Sequence, residues 1–500
     1  MRLTLLALLL LLACSSPPAP SPTPSSSPSA TTTPSASPSA TVVEPPPANE
    51  TLEDYARRLQ GRHSYGVYMA GKKAGWALMS FQLESRQGRQ VLVFRENFSM
   101  RITFMGQKSS LDSKAETVYA LSGKGEILSA QETEDEDGNR TETRVKPVAS
   151  EYEVSTTSQG RVSRRKVRVE RDNLEHARQF ERWLRTARAG DKFEQYSASW
   201  DEDPVETADE VILEGRESIL WGGVRTVLYR ATIVHDGGRM NALLQADGTP
   251  WKATVGGVIE LRAEEEELAK RMDVPVDMLE ITALRIDRPL DKDDLEHLEL
   301  EVEGADGFKL PASHRQKAAL RQGKTVWTLK RDFRVKDQQP ISAAERKENL
   351  KATPELEQDE VIKKLARKIA GPGTPVEQAN RLQDWLYKNL EKSYSRNART
   401  ARDVLANKAG DCTEHARLFV ALARSLGIPA REVGGLVAPQ SEPMFAWHAW
   451  AEIHDGHQWV SVDPMWNEVY VDATHLKMSQ GTRDFSWINV AGSLKLKVLD

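Results

Sequence analysis

A cysteine, a histidine and an aspartate near the end of the chain have the types and the order that a cysteine nucleophile requires. Cys412 lies in the run GDCTEHA, His448 in the run WHAW and Asp463 in the run VDP. A thiol attacks as its thiolate, so a base must take the proton and a third group must orient that base. These residues therefore form a candidate site for nucleophilic catalysis.

A predicted β-hairpin brings the histidine and the aspartate together. Asp455-Gly456 lies between two runs rich in aromatic and β-branched residues, 447–453 and 458–462, and Asp-Gly is typical of a two-residue type I′ turn. Counting outward from that turn places His448 directly opposite Asp463, where Cβ atoms are about 4.5–5.5 Å apart. A slip of one residue would send the two side chains to opposite faces. The register therefore predicts a His448–Asp463 pair.

The cysteine is predicted at the start of a helix. Segment 412–426 has apolar residues at helical spacing, Gly427 follows it, and Asp411 is a suitable N-cap residue. The helix dipole and the unpaired N–H groups of the first turn favour a thiolate at Cys412. The backbone N–H of Cys412 is also a candidate oxyanion donor, and Tyr394 is a candidate for a second donor.

At these residues the chain resembles a bacterial transglutaminase-like domain of the papain-like cysteine superfamily. The resemblance is carried by two runs, GDCTEHARLFVALARSLGIPAR and WHAWAEIHDGHQWVSVDPMW, and extends from about residue 355 to 480, including the later run DATH. It implies that Cys412 is the nucleophile, His448 the general base and Asp463 the group that orients the base. It also implies a thioester acyl-enzyme formed on an amide. Such families include crosslinking transglutaminases, peptidases and amidases, so the acyl acceptor stays open.

The N-terminus has the features of a lipoprotein signal. Arg2 precedes an apolar run over 5–13, which is typical of a secretion signal and too short for a permanent membrane span. The run ends in LLAC, which resembles the bacterial lipobox and implies cleavage before a lipidated Cys14. Ser15 follows in place of Asp, so we predict an envelope lipoprotein of the outer membrane, facing the periplasm or the cell surface. The alternative is an ordinary signal peptide with an incidental cysteine.

Charge and cysteine content narrow the class of protein. The chain of 500 residues has 68 basic and 73 acidic residues, a net charge of −5, which argues against a nucleic-acid partner. It has 2 cysteines, and lipidation of Cys14 would leave Cys412 without an intrachain disulfide partner. A free thiol in an oxidising compartment is a liability unless it has a function.

The patterns along the chain predict an α+β protein, with a β-rich domain built on a curved antiparallel sheet before the papain-like core. Residues 15–48 are almost entirely Ser, Pro, Thr and Ala, and a period of two then dominates to about 285, interrupted by a helix near 173–189. We predict a signal peptide (1–13), a disordered tether (14–49), a β-rich N-terminal domain (50–285), a β-rich connecting segment (286–350) and a transglutaminase-like catalytic domain (351–500).

Plainer interpretations of the site remain open. Cys412 could be a small buried hydrophobe, His448 a core histidine and Asp463 a turn residue. Cys412 and His415, together with two histidines that we expect at an exposed turn, His454 and His457, could be taken for a zinc site. A second ligand pair at zinc-finger spacing is absent, and we predict neither a metal nor another cofactor.

The sequence thus favours a lipid-anchored cysteine acyltransferase or hydrolase of the cell envelope. Its predicted partners are an amide-bearing protein or peptidoglycan, and the membrane through the lipid anchor. The alternative is a non-catalytic transglutaminase-like scaffold or binding protein of the envelope. The presence of all three of Cys412, His448 and Asp463 favours the enzyme.

Overall fold

The structure is a computed structural model. It describes residues 47, 49–104, 107–201, 204–221, 224–235, 237–272, 275–277, 283–290, 295–393, 398, 400–439, 442–479, 486–490 and 492–499. The predicted signal peptide, its Cys14, nearly all of the tether and Tyr394 lie outside the described residues. Within these ranges, no helix is both long enough and apolar enough to cross a membrane.

One large antiparallel sheet accounts for most of the N-terminal half. Its strands are β1 (Gly61–Met69), β2 (Lys72–Arg86), β3 (Arg89–Phe104), β4 (Gln107–Ala120), β5 (Ile127–Glu136), β6 (Asn139–Val148), β7 (Glu151–Ser158), β8 (Arg161–Val167), β9 (Lys192–Ala198), β10 (Glu206–Trp221), β11 (Val224–His235), β12 (Gly238–Leu244), β13 (Pro250–Val255) and β14 (Ile259–Ala263), and β15 (Val276–Asp277) joins β3 in parallel. Two meanders, β1 to β8 and β14 to β9, meet where β1 pairs with β14. The result is a curved half-barrel with β8 and β9 at its edges.

Among the described residues, three helices accompany this sheet: α1 (Leu52–Leu59), α2 (Leu174–Thr186) and α3 (Glu266–Lys270). Helix α2 confirms the helix predicted near 173–189, and Asn173 caps it by accepting the N–H of His176. Phe180 and Leu184 of α2 are buried in one hydrophobic cluster with Tyr55 of α1 and the inner face of the sheet. The helices therefore cover the apolar face that the period-two pattern of the strands creates.

The connecting segment forms a second, smaller sheet. Strand β16 (Leu284–Arg285) precedes this sheet and pairs with a strand of the C-terminal part. The strands of the smaller sheet are β17 (His297–Glu303), β18 (Gln316–Arg321) and β19 (Lys324–Lys330). The sheet order is β18-β19-β17, and β27 (Lys495–Leu499), near the end of the chain, pairs with β17. Leu298 lies opposite Leu329, and Leu300 lies opposite Trp327. The alternating apolar residues of β17 thus face those of β19, and the segment is β-rich, as predicted.

The C-terminal part combines a helical layer with a third sheet. Its helices are α4 (Ala343–Glu348), α5 (Glu360–Ala370), α6 (Pro375–Asn389), α7 (Ala401–Asn407) and α8 (Cys412–Ser425), and a 3₁₀-helix spans Ser486–Val490. Its strands are β20 (Glu391–Lys392), β21 (Ala409–Gly410), β22 (Ala430–Val437), β23 (Met444–His454), β24 (Trp459–Asp463), β25 (Glu468–Val469) and β26 (His475–Lys477). The sheet order is β25-β24-β23-β22-β26, with β16 on β23. Helices α5, α6 and α8 share a buried core with β23 and β24.

The turn between β23 and β24 is not the predicted two-residue turn. His454 pairs with Trp459, so residues 455–458 form the connection. Only Gly456 has a positive φ, of 93°, whereas a type I′ turn needs a positive φ at both central residues. The Asp455 carboxylate instead accepts the N–H groups of His457 at 2.7 Å and of residue 458 at 2.8 Å. Because the Asp455 side chain closes the turn with these hydrogen bonds, a connection of four residues is stable.

The longer turn shifts the predicted register by two residues. Val462 lies opposite Ala451, so His448 and Asp463 are not directly opposed, as was predicted. A shift of two keeps the parity of a strand, because side chains alternate with period two. His448 and Asp463 therefore remain on one face of the sheet and meet diagonally, within reach of an imidazole.

The N-terminal sheet contacts the helical layer through one hairpin. Arg161, at the turn between β7 and β8, lies 2.7 Å from the carboxylate of Asp403 in α7 and 3.1 Å from that of Glu357. Asp403 is almost fully buried, which strengthens a charge-assisted bond. The hairpin therefore fixes α7, the helix that precedes the loop to Cys412.

Candidate active site

Helix α8 begins at Cys412 because two side chains cap it. The Asp411 carboxylate accepts the N–H of Thr413 at 2.7 Å, and the Glu414 carboxylate accepts the N–H of Asp411 at 2.9 Å. This capping box satisfies two N–H groups of the first turn. A Cβ on Gly410 would lie 2.4 Å from Cβ of Glu414, so only glycine lets the chain enter the helix here. Cys412, a partly exposed residue, is thus held at the first helical position, as predicted.

The thiol lies against strand β23 in an environment that opposes its ionisation. Burial and the negative charge of Asp411 raise the pKa of the Cys412 thiol well above its ordinary value, whereas the backbone N–H of Ala449 lowers it. Ala449 directly follows His448. The helix start therefore does not by itself produce the predicted thiolate, and a nearby base must accept the proton.

The histidine and the aspartate form a buried hydrogen-bonded pair. Nε2 of His448 lies 2.6 Å from Oδ2 of Asp463, and both side chains are almost inaccessible to solvent. Oδ1 of Asp463 accepts the N–H groups of Met465 at 2.8 Å and of Trp466 at 3.0 Å. Burial acts to raise the pKa of Asp463, but His448 and a second histidine hold it far below its usual range. Asp463 is therefore a charged and rigidly oriented acceptor.

This geometry leaves one nitrogen of His448 for chemistry. Because Nε2–H donates to Asp463, Nδ1 carries the lone pair in the neutral imidazole. Within the described part of the chain, Nδ1 has no hydrogen-bond partner. The ring lies between Trp466, at 5.1 Å between centroids, and Trp450, at 6.2 Å. Water is thereby kept from the imidazole–carboxylate pair, which strengthens it.

A second histidine, in the run DATH that belongs to the family resemblance, contacts the same carboxylate. His475 is fully buried, and its Nε2 lies 3.1 Å from Oδ2 of Asp463. Its Nδ1 lies 3.4 Å from Oδ1 of Asp472. Burial lowers the pKa of His475, but the bonds to Asp463 and Asp472 outweigh burial and raise it to about 9. His475 is therefore an imidazolium between two carboxylates at neutral pH.

A glycine allows the strand of His475 to approach the site. Gly435 of β22 lies opposite His448, and a Cβ there would be 2.1 Å from the carbonyl oxygen of Leu476 in β26. The pair Gly434-Gly435 within a strand is a sequence signal for such a close approach. The glycine pair and the run DATH are the features of the sequence that could have indicated a second histidine at this site.

The alternative zinc site is not formed by the residues proposed for it. The structure contradicts the predicted exposure of His454 and His457: His454 is buried and bonds the carbonyl oxygen of Gln339 at 2.9 Å, and His457 bonds that of Val335 at 3.0 Å. His415 is also buried, with Nδ1 2.7 Å from the carbonyl oxygen of Asp411. The turn is covered because segment 333–339 packs over it.

Two other groups have donor atoms within 4.8 Å of one another, within the described ranges. One comprises His448, Asp463 and His475, and the other comprises Glu468, Asp472 and His475. The contacts of 2.6 and 3.1 Å in the first group are hydrogen-bond distances. In the second, Oδ1 of Asp472 already accepts the hydroxyl of Thr474 at 2.5 Å. We assign no metal to either group.

Comparison with known proteins finds a family model that matches the part of the chain around this site. Residues 363–464 match the model of the transglutaminase-like superfamily. An uncharacterized protein of Haemophilus influenzae is 38% identical over 103 residues, and the match covers 19% of this chain and 28% of that protein. The chain thus spans little more than a quarter of that relative. The crystal structure of a candidate cysteine protease from Cytophaga hutchinsonii is 20% identical and covers 40% of this chain and 83% of its own, with a TM-score of 0.28.

The matched segment contains Cys412, His448 and Asp463. The resemblance seen in the sequence and the family match agree on the same stretch of chain. Residues 363–464, which hold all three candidate residues, are therefore similar to the transglutaminase-like superfamily.

Proposed function

We propose that this protein is a cysteine acyltransferase or hydrolase that forms a thioester at Cys412 on an amide or peptide substrate. One observation carries the proposal: a capped helix start holds the partly exposed residue Cys412 beside the strand of His448, which forms a buried pair with Asp463. A nucleophile, a base and a group that orients the base are the minimum for this chemistry.

In the proposed reaction, Sγ of Cys412 bonds to the carbonyl carbon while its proton passes to Nδ1 of His448. The backbone N–H of Cys412 faces the developing oxyanion at the helix start. The C–N bond then breaks, His448 returns the proton to the leaving nitrogen, and an amine or ammonia departs. Water or an acceptor amine attacks the thioester and gives a proton to His448, which returns it to the thiol.

The raised thiol pKa makes His448 essential for reactivity at neutral pH. We expect iodoacetamide to alkylate Cys412 readily at about pH 6–7, because proton transfer to His448 supplies the thiolate. In His448→Ala no imidazole accepts the proton, while burial and Asp411 still raise the thiol pKa, and we expect the alkylation rate at pH 7 to fall at least about tenfold. Peptide mapping by mass spectrometry distinguishes Cys412 from Cys14. Equal and slow labelling of both proteins would favour the non-catalytic scaffold.

The acyl acceptor is decided by a direct comparison of substrates. Purified protein is incubated with peptidoglycan, and separately with a protein substrate plus a fluorescent amine. Release of peptide or ammonia without incorporation of the amine indicates hydrolysis, and a fluorescent product indicates transamidation. Cys412→Ala serves as the blank in both arms.

We further propose that the enzyme is an envelope lipoprotein anchored through Cys14. The LLAC run and the following Ser/Pro/Thr-rich stretch support this. We expect the mature N-terminus to be a lipidated Cys14 that partitions into detergent. Cys14→Ser should remain an uncleaved precursor without a lipid label. A wild-type N-terminus at another residue would contradict the anchor.

A further inference from the structure

The Asp463 carboxylate has two imidazole neighbours, and the proposed mechanism uses only one of them. Oδ2 lies 2.6 Å from Nε2 of His448 and 3.1 Å from Nε2 of His475. Oδ1 is occupied by the backbone N–H groups that follow the strand. Each oxygen of the Asp463 carboxylate therefore has two hydrogen-bond partners. Residues on or next to three strands, β23, β24 and β26, fix its orientation.

The other side of His475 also faces a carboxylate. Oδ1 of Asp472 lies 3.4 Å from Nδ1 of His475, and the hydroxyl of Thr474 lies at the same distance from Nδ1. Asp472 is itself held, because its Oδ2 accepts the N–H of Leu295 from the connecting segment at 3.2 Å. With a carboxylate at each nitrogen, both ring nitrogens of His475 must be donors, so the ring is a cation.

The position of this cation is set by the rest of the fold. The buried Arg315 donates to the carbonyl oxygens of Asp472 at 2.9 Å and of His475 at 3.3 Å. Gln316 donates to the carbonyl oxygen of Lys477 at 2.7 Å. Both residues belong to the connecting segment, which therefore clamps strand β26 against the site.

We propose that His475 is a positioning residue of the Cys412 site, which fixes Oδ2 of Asp463 and offsets the negative charge that Asp463 presents to His448. A role of His475 in catalysis depends on the proposed function of the Cys412 site. Because both imidazoles bond the same oxygen, part of the negative charge of Asp463 is offset by His475 and only the remainder acts on His448.

The sign of the effect follows from all charges around His475. Asp463 of β24 and Asp472 before β26 are acidic, and Arg315 and His448 are basic. Burial raises the pKa of Glu468 in β25 to about 7, so this carboxyl is only partly charged at neutral pH. Replacing His475 by Gln removes one positive charge and leaves the three carboxylates in place. The negative potential at His448 then increases, so we expect the pKa of His448 to rise by about one unit, a tenfold change in its protonation equilibrium.

The test is an NMR titration of the full chain carrying Cys412→Ala, so that the thiol proton does not couple to His448. The chain has 10 histidines, and selective ring labelling resolves their signals. Loss of a signal in His448→Gln and in His475→Gln assigns the two. The matched control is His235→Gln, which breaks the buried His235–Asp209 pair of 2.5 Å in the N-terminal sheet.

We expect the His448 midpoint to move upward by about one pH unit in His475→Gln and to stay in place in His235→Gln. An unchanged midpoint in His475→Gln, or the same shift in both variants, overturns the proposal. If His475→Gln does not fold, the His475 signal without that substitution decides: a charged ring at pH 7 supports the role, and a neutral ring overturns it. Neither the His448 midpoint nor the charge of the His475 ring requires a substrate to be measured. Both results would therefore stand even if the proposed function were wrong.

Discussion

Cys412→Ala is expected to abolish acyl-enzyme formation and turnover while the protein stays folded. Cys412 is a partly exposed residue in the first turn of α8, and the cap that defines this turn uses Asp411 and Glu414, not Cys412. The free energy of unfolding should therefore change by less than about 1 kcal/mol. Only substrate binding and the oxyanion contacts would then support the reaction, so the rate should fall by a factor of at least about 10³.

Intact-protein mass spectrometry after rapid mixing with substrate measures the acyl adduct directly. The matched control is Thr413→Ala, which alters the next residue of the same turn and leaves the thiol in place, so its rate should change only a few-fold. Cys412→Ala and Cys412→Ala/His448→Ala should be equally inactive, because residues of one catalytic unit are not additive. An adduct in Cys412→Ala, or turnover in the double variant, would show that the nucleophile lies elsewhere.

Asp463→Asn is expected to reduce the rate by about 10⁴ without unfolding the protein. The backbone N–H groups of Met465 and Trp466 point at Oδ1, so the amide oxygen of Asn must occupy that position. Its NH₂ group then faces Nε2 of both His448 and His475. His448 must accept at Nε2 and carry its proton on Nδ1, which leaves no lone pair there for the thiol of Cys412.

Nitrogen shifts of labelled His448 report this change of tautomer, and kcat/KM reports its cost. Asp332→Asn is a suitable control, since Asp332 is also buried, lies 2.6 Å from an imidazole, that of His314, and bonds Ser461 of β24 at 2.5 Å. We expect a comparable loss of stability in the two variants but loss of activity only in Asp463→Asn. Equal activity in both would remove Asp463 from the mechanism.

The sequence by itself determined the local elements of the site. Helices α6 and α8 begin where Thr374 and Asp411 provide caps and Glu377 and Glu414 complete the capping boxes, because such caps are made by residues three apart in the chain. The alternation along β23 and β24 also determined that His448 and Asp463 share one face, because parity survives a shift of two residues.

The tertiary structure alone decided the turn and its register. The Asp455 turn has four residues because its side chain closes it and because Gln458 bonds the backbone of Phe333 and Val335 at 2.8 and 2.7 Å. Those partners lie more than a hundred residues away in the chain, so no local pattern around Asp455-Gly456 contains them. Propensity favoured the short turn, and distant hydrogen bonds outweighed it.

The electrostatics of the site were likewise decided by the fold. The start of α8 favours a thiolate, but burial and Asp411 raise the thiol pKa, and burial is a property of the whole structure. His475 reaches Asp463 only because β26 pairs with β22, where Gly435 leaves room for the backbone. The sequence determined which groups carry the chemistry, whereas long-range strand pairing and burial decided their protonation and their second neighbour.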